Sequence, residues 1–125
     1  MKLARLLILL GSLIMFAGAL LHVLGGKLGV FPAVAKAGIE PRVAGAITCV
    51  WLIASAHGVL LAPALVWISR RPGTRSLLRY LALIPAVDAL LMYIFVGFFS
   101  GFYIVATTAL LLLAGAWLMP LDQSL

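Results

Sequence analysis

The stretch from Tyr80 to Met119, YLALIPAVDALLMYIFVGFFSGFYIVATTALLLLAGAWLM, carries a single charged residue, Asp88. As one unbroken helix it would be about 60 Å long, roughly twice the thickness of a bilayer's hydrocarbon core. Ser100 and Gly101 are the only clear break in it. The segment must therefore fold back as two spans, Tyr80 to Phe99 and Phe102 to Met119, joined by a tight helical hairpin. Pro120, which cannot continue a helix, stops the second span.

Upstream, two more runs reach the roughly 20 apolar residues that a membrane helix needs. Leu6 to Leu24 follows Lys2 and Arg5, and Val43 to Ser69 is interrupted only by His57 and Pro63. The expected fold is an all-α membrane protein, a single domain over residues 1–125. It is a four-helix transmembrane bundle with spans at about 6–24, 43–69, 80–99 and 102–119.

Composition agrees. Of the 125 residues 66% are hydrophobic and 10% charged, against about 25% charged in a soluble domain. A small globule cannot hide that much apolar surface, so lipid must cover it. The formal net charge of +6 sits in short clusters between apolar runs. There is no basic stripe with interleaved aromatics, so nucleic acid is not an expected partner. Cys49 is the only cysteine, which excludes an intramolecular disulfide and a thiolate metal cluster. The first run also resembles the start of a signal peptide, but it exceeds the usual h-region of about 7 to 15 residues and no A-x-A site follows. It is taken as a retained span; cleavage would leave three.

Lys and Arg bias the loops they occupy towards the cytoplasm. Lys2, Arg5, Arg70, Arg71, Arg75 and Arg79 fall on one side, Lys27, Lys36 and Arg42 on the other. Six against three predicts that both termini are cytoplasmic. Trp67, Tyr80 and Trp117 fall near span ends on the basic side, where aromatics anchor at headgroups. Trp51 does not fit that belt and is expected inside the bundle. In the first outer loop, Gly25 to Arg42, Pro32 opens a short interfacial helix through Val34 to Ile39, and Pro41 suits the first turn of the second span.

Small residues mark where membrane helices approach closely. Gly11, Met15, Gly18 and His22 form one such stripe, Ala54, Gly58 and Ala62 a second, and Gly101, Thr108 and Gly115 a third. One compact bundle or an oligomer contact satisfies them equally.

The candidate site is a polar interior made of Asp88, His57 and His22. A charged Asp in mid-span costs on the order of 2.5–3.5 kcal/mol, so it must be partnered or protonated. Depths counted from flanking arginines place Asp88 about 13 Å, His57 about 20 Å and His22 about 25 Å from the inner surface. That stepped series makes a proton or cation path, or else a set of hydrogen bonds that only locks the bundle. Glu40 and Arg42 are the interfacial charges, with Glu40 expected to neutralise Lys36 or Arg42. The depth steps disfavour a haem between His22 and His57, and a zinc site from His22, His57 and Asp88, so no metal or cofactor is expected. Ser55 and Cys49 are badly placed to act with His57, which argues against nucleophilic catalysis.

In layout the chain is similar to small four-span bacterial inner-membrane proteins, the DoxX-like group among them. The likeness is of architecture and carries no site, and it implies a multi-pass protein of the cell membrane. The expected role is transport or proton-linked coupling through the polar interior, and not catalysis. The alternatives are an accessory subunit of a larger membrane complex, or a membrane enzyme using Asp88 and His57 as acid and base on a lipophilic substrate. The expected partners are the lipid bilayer and a homo-oligomer or other membrane subunits.

Overall fold

A computed structural model describes residues 2–119; Pro120, the expected stop, lies outside them. The described residues are helical apart from short connections: α1 Lys2–Gly25, α2 Phe31–Lys36, α3 Pro41–Ile68, α4 Arg75–Phe95 and α5 Ser100–Trp117. Four helical bodies are long and apolar enough to cross a membrane: Lys2–Lys36, Pro41–Ile68, Arg75–Phe95 and Ser100–Trp117.

The helices extend beyond the apolar runs because a helix does not stop where lipid would. Arg75 and Arg79 lie inside α4, and Arg42 inside α3. Pro41 is in the first turn of α3, and the carboxylate of Glu40 caps it by accepting the backbone N–H groups of Arg42 and Val43, each at 3.2 Å. Glu40 thus serves orphan helix donors rather than pairing with the Arg42 side chain.

Two expectations are corrected. The short helix in the first outer loop is present, with Pro32 in its first turn, but it ends at Lys36. It also continues α1 end to end through a π-helical segment, Gly26–Val30, instead of forming a separate interfacial piece. The α4–α5 turn falls at Val96 to Phe99, and Ser100 and Gly101 open α5. Gly97 has φ +83°, a conformation that residues with a Cβ rarely adopt, and this places the reversal there.

α1 stands in the middle of the assembly. It packs against α3 on one side and α5 on the other, and α5 in turn packs against α4. α3 and α4, though consecutive, barely touch. The core sits at the end that carries the N-terminus and the α3–α4 loop. There Ala4 and Ile8 of α1, Leu65 of α3, Leu78 and Ala82 of α4, and Leu112 and Ala116 of α5 pack together, backed by Leu61, Ile68 and Leu81. The loop is tied down as well, since Thr74 Oγ1 lies 2.9 Å from the carbonyls of both Ile68 and Arg71, which share its one proton.

At the same end Arg75 donates to the Trp117 carbonyl at 2.9 Å. Arg79 lies 3.9 Å over the Trp117 ring and Arg71 4.8 Å over that of Trp67. A cation at the C-terminus of α5 answers its dipole, and the stacked guanidinium adds a cation–π contact. The opposite end of α4 and α5 is apolar and aromatic, with Tyr93, Phe98, Phe102 and Tyr103 forming one cluster of ring contacts.

The small-residue stripes are used, though not as drawn from spacing. Gly11 and Gly18 face Leu112 and Ile104 of α5, whereas Gly58 of α3 faces Met15 and Ala19 of α1. One stripe on α1 therefore serves two neighbours. On α3 the buried line is Ser55, Gly58, Ala62 and Leu65, and Ala54 is exposed.

Candidate functional site

His22 is half-buried and belongs to a latch between α1 and α3. Trp51 Nε1 donates to the His22 carbonyl at 2.7 Å, and Ser55 Oγ donates to the Trp51 carbonyl at 3.1 Å. His22 Nδ1 lies 2.9 Å from Ser55 Oγ. A serine hydroxyl has one proton, and it is committed to Trp51, so His22 is the donor through Nδ1–H. The imidazole and indole stack with centroids 3.9 Å apart and planes 9° apart. The indole can lie this close only because position 26 is glycine, where a Cβ would fall 2.6 Å from Trp51 Nε1.

A serine and a histidine at hydrogen-bonding distance are also the beginning of a nucleophile–base pair. Here Ser55 is 2% exposed, its proton is engaged with a carbonyl, and the other ring nitrogen of His22 has no hydrogen bond among the described residues. The cluster holds helices together. It was not anticipated from the sequence, although Trp51 and Ser55 extend the buried line of Gly58, Ala62 and Leu65 at helical spacing.

His57 and Asp88 are placed differently. His57 lies one turn before Leu61, and Asp88 two turns after Leu81. Leu61 and Leu81 both pack on the core, so the two ionisable side chains project from the faces of α3 and α4 that flank the gap between these helices. Counted along the helices, His57 is about 17 Å from Ile68 and Asp88 about 20 Å from Arg75. The two are therefore near one level. The larger step expected from the sequence came from counting Asp88 from Arg79, whereas α4 begins one turn earlier at Arg75.

Both side chains are exposed on the chain rather than enclosed in an interior. Among the described residues neither forms a hydrogen bond or an ion pair within 4.0 Å. In this structure the two side chains are not bonded to each other. His22, engaged by Ser55 and Trp51, does not join them, so the three groups make no continuous series through the chain. Among the described residues no three His, Cys, Asp or Glu side chains gather as a metal site requires.

No protein-family model, curated protein or solved structure matches the chain.

Two further surfaces lie along α3. One is a shallow groove beside α3 lined by Val43, Ile47, Val50 and Ala54, with His22 and Trp51 at its floor. The other lies between α2 and α3, where Phe31, Val34, Leu52 and Ile53 surround the exposed Cys49. Both are wide and apolar, and His22 is the one acidic or basic side chain that lines them.

Proposed function

We propose that this chain is a multi-pass protein of the bacterial inner membrane, with both termini cytoplasmic, that acts as a subunit of a membrane assembly. The α3–α4 face bearing His57 and Asp88 is its docking face. One observation carries the reading: an acid and a base in mid-span are exposed on the chain and, among the described residues, have no hydrogen-bond or ion-pair partner. Between lipid tails a mid-span Asp costs on the order of 2.5–3.5 kcal/mol. A helix from another chain that pairs with it removes that cost and excludes lipid from the gap. Polar side chains hold membrane helices together in this way.

The six-against-three distribution of Lys and Arg supports the orientation, and the stacked Arg71, Arg79, Trp67 and Trp117 suit a headgroup layer at the cytoplasmic end. The test is native mass in mild detergent and in membranes. The wild-type chain runs above its monomer mass of 13.3 kDa, and Asp88→Ala lowers that mass while Leu110→Ala, on an exposed apolar face of α5, does not. A wild-type chain that is monomeric in both settings removes the reading.

A second reading, proton- or cation-linked transport, rests on the near-equal levels of His57 and Asp88 beside an open gap. The polar path then runs between subunits instead of through one bundle. In proteoliposomes Asp88→Asn abolishes flux while leaving the assembly intact if this reading holds.

A further inference from the structure

We infer that the chain docked on the His57–Asp88 face is a second copy of the same protein, related by a two-fold axis along the helices, so that His57 of each copy meets Asp88 of the other. This rests on the docking-face reading and names its occupant.

The inference begins from placement. His57 and Asp88 stand on neighbouring helices, one on each side of the α3–α4 gap, at levels that differ by about 3 Å. Within the chain they do not reach each other. A two-fold rotation about an axis parallel to the helices and in front of the gap sets α3 of one copy against α4 of the other. It preserves level. A donor on α3 and an acceptor on α4 are thereby exchanged between copies, which is the self-complementarity that an isologous interface requires.

Charge supports the choice of occupant. The face carries one base and one acid, and its mate must carry an acid and a base in the opposite order at matching heights. A second copy supplies both by symmetry. Two imidazole–carboxylate contacts form, each with an imidazole N–H donating to a carboxylate, and no charge is left unpaired between the helices. The surroundings suit helix packing as well. Val50 and Ile53 near His57, and Ile84 and Leu91 near Asp88, are apolar and exposed in the single chain. The loop end of the gap is closed by Leu61, Ile68 and Leu81, so the copies meet along the open part, where α3 and α4 no longer touch.

The experiment is charge-swap complementation with two differently tagged chains co-expressed in one membrane and read by co-purification and native mass. Wild-type chains co-purify as a dimer. His57→Asp gives a face with two acids and Asp88→His one with two imidazoles, and either variant alone loses self-association roughly tenfold or more. Co-expressed, the two variants restore a heterodimer to near the wild-type level, because each acid again faces an imidazole. Thermal melting of each monomer confirms that it is folded. If a swap variant does not accumulate, His57→Gln and Asp88→Asn test the same contact by partial loss of the dimer.

Folded swap variants that fail to complement, or a dimer indifferent to both substitutions, overturn the inference. A wild-type chain that assembles stably with a different protein, loses that assembly on Asp88→Ala and never co-purifies with itself overturns the second copy while leaving the docking face in place. A chain monomeric in every setting overturns both.

Discussion

The indole of Trp51 lies flat against the imidazole of His22, 3.9 Å between centroids, and donates its N–H to the His22 carbonyl at 2.7 Å. Ser55 closes the circuit. These contacts join α1 to α3 at the end where the bundle has no shared four-helix core. The latch therefore holds together the half of the molecule that packing alone leaves loose.

Trp51→Phe keeps a ring over His22 and removes the N–H. The expected loss is about 1 kcal/mol, the net value of a hydrogen bond. Trp51→Ala, which also forfeits the stacked surface, costs several times as much, on the order of 3–5 kcal/mol. Thermal melting of the purified chain in one detergent ranks the two. Equal losses would mean that the N–H contributes as much as the whole ring, against the latch as described.

Gly58 is a point of close approach between α1 and α3, since an added Cβ would sit 2.7 Å from the Ala19 Cβ. A methyl on a helix has no flexible end to move aside. Gly58→Ala is expected to destabilise by about 1–3 kcal/mol, the range for overpacking. Gly45, on the same helix with nothing within 4 Å of its would-be Cβ, is the control, and Gly45→Ala should be neutral or stabilising by up to about 1 kcal/mol.

Thr108 is 1% exposed and its hydroxyl has no partner among the described residues. Valine has nearly the same shape without the orphaned oxygen. Thr108→Val is expected to leave stability unchanged or raise it by about 1–3 kcal/mol, the penalty of an unsatisfied buried group. A clear drop in melting temperature would show that the hydroxyl is bonded.

Asp88 is exposed and forms no hydrogen bond or ion pair among the described residues. In a preparation held monomeric by strong detergent, Asp88→Asn should change the melting point by no more than about 0.5 kcal/mol in equivalent stability, as for other exposed positions. The same substitution should matter only where chains assemble. A mutant that unfolds as a monomer would place Asp88 inside the structural core instead.

Orientation has its own check. With Cys49→Ala as background, Ala37→Cys places a single thiol just after α2 and Ser76→Cys one in the first turn of α4, at opposite ends of α3. A membrane-impermeant thiol reagent applied to intact cells is expected to label position 37 and spare position 76. The reverse pattern would invert the proposed topology.

Much of the architecture was legible because lipid is a demanding solvent. Every backbone polar group in it must bond internally, so spans must be helices and must read as long apolar runs. The four runs, the hairpin between the last two, Pro32 and Pro41 in first turns, and Trp51 within the bundle all follow from that constraint. Helix ends did not, because hydropathy marks what contacts lipid. Arg75 and Arg79 add a turn and more to α4 without altering the apolar run that begins at Tyr80.

His57 and Asp88 show the same boundary from the chemical side. Their rarity in apolar runs identified them, since an ionisable group in mid-span is costly. Whether they face inward depends on the neighbours of α3 and α4, and periodicity within one helix carries no information about which helix lies across from it. By itself the sequence determined four apolar helices, their order and the residues able to carry charge between them. Only the tertiary structure decided that α1 sits between α3 and α5, that Gly11 and Gly58 belong to different interfaces, and that α3 and α4 part beyond their loop. Those outcomes depend on how side chains from distant segments fit together, and that fit turned His22 into a latch and left His57 and Asp88 facing outward.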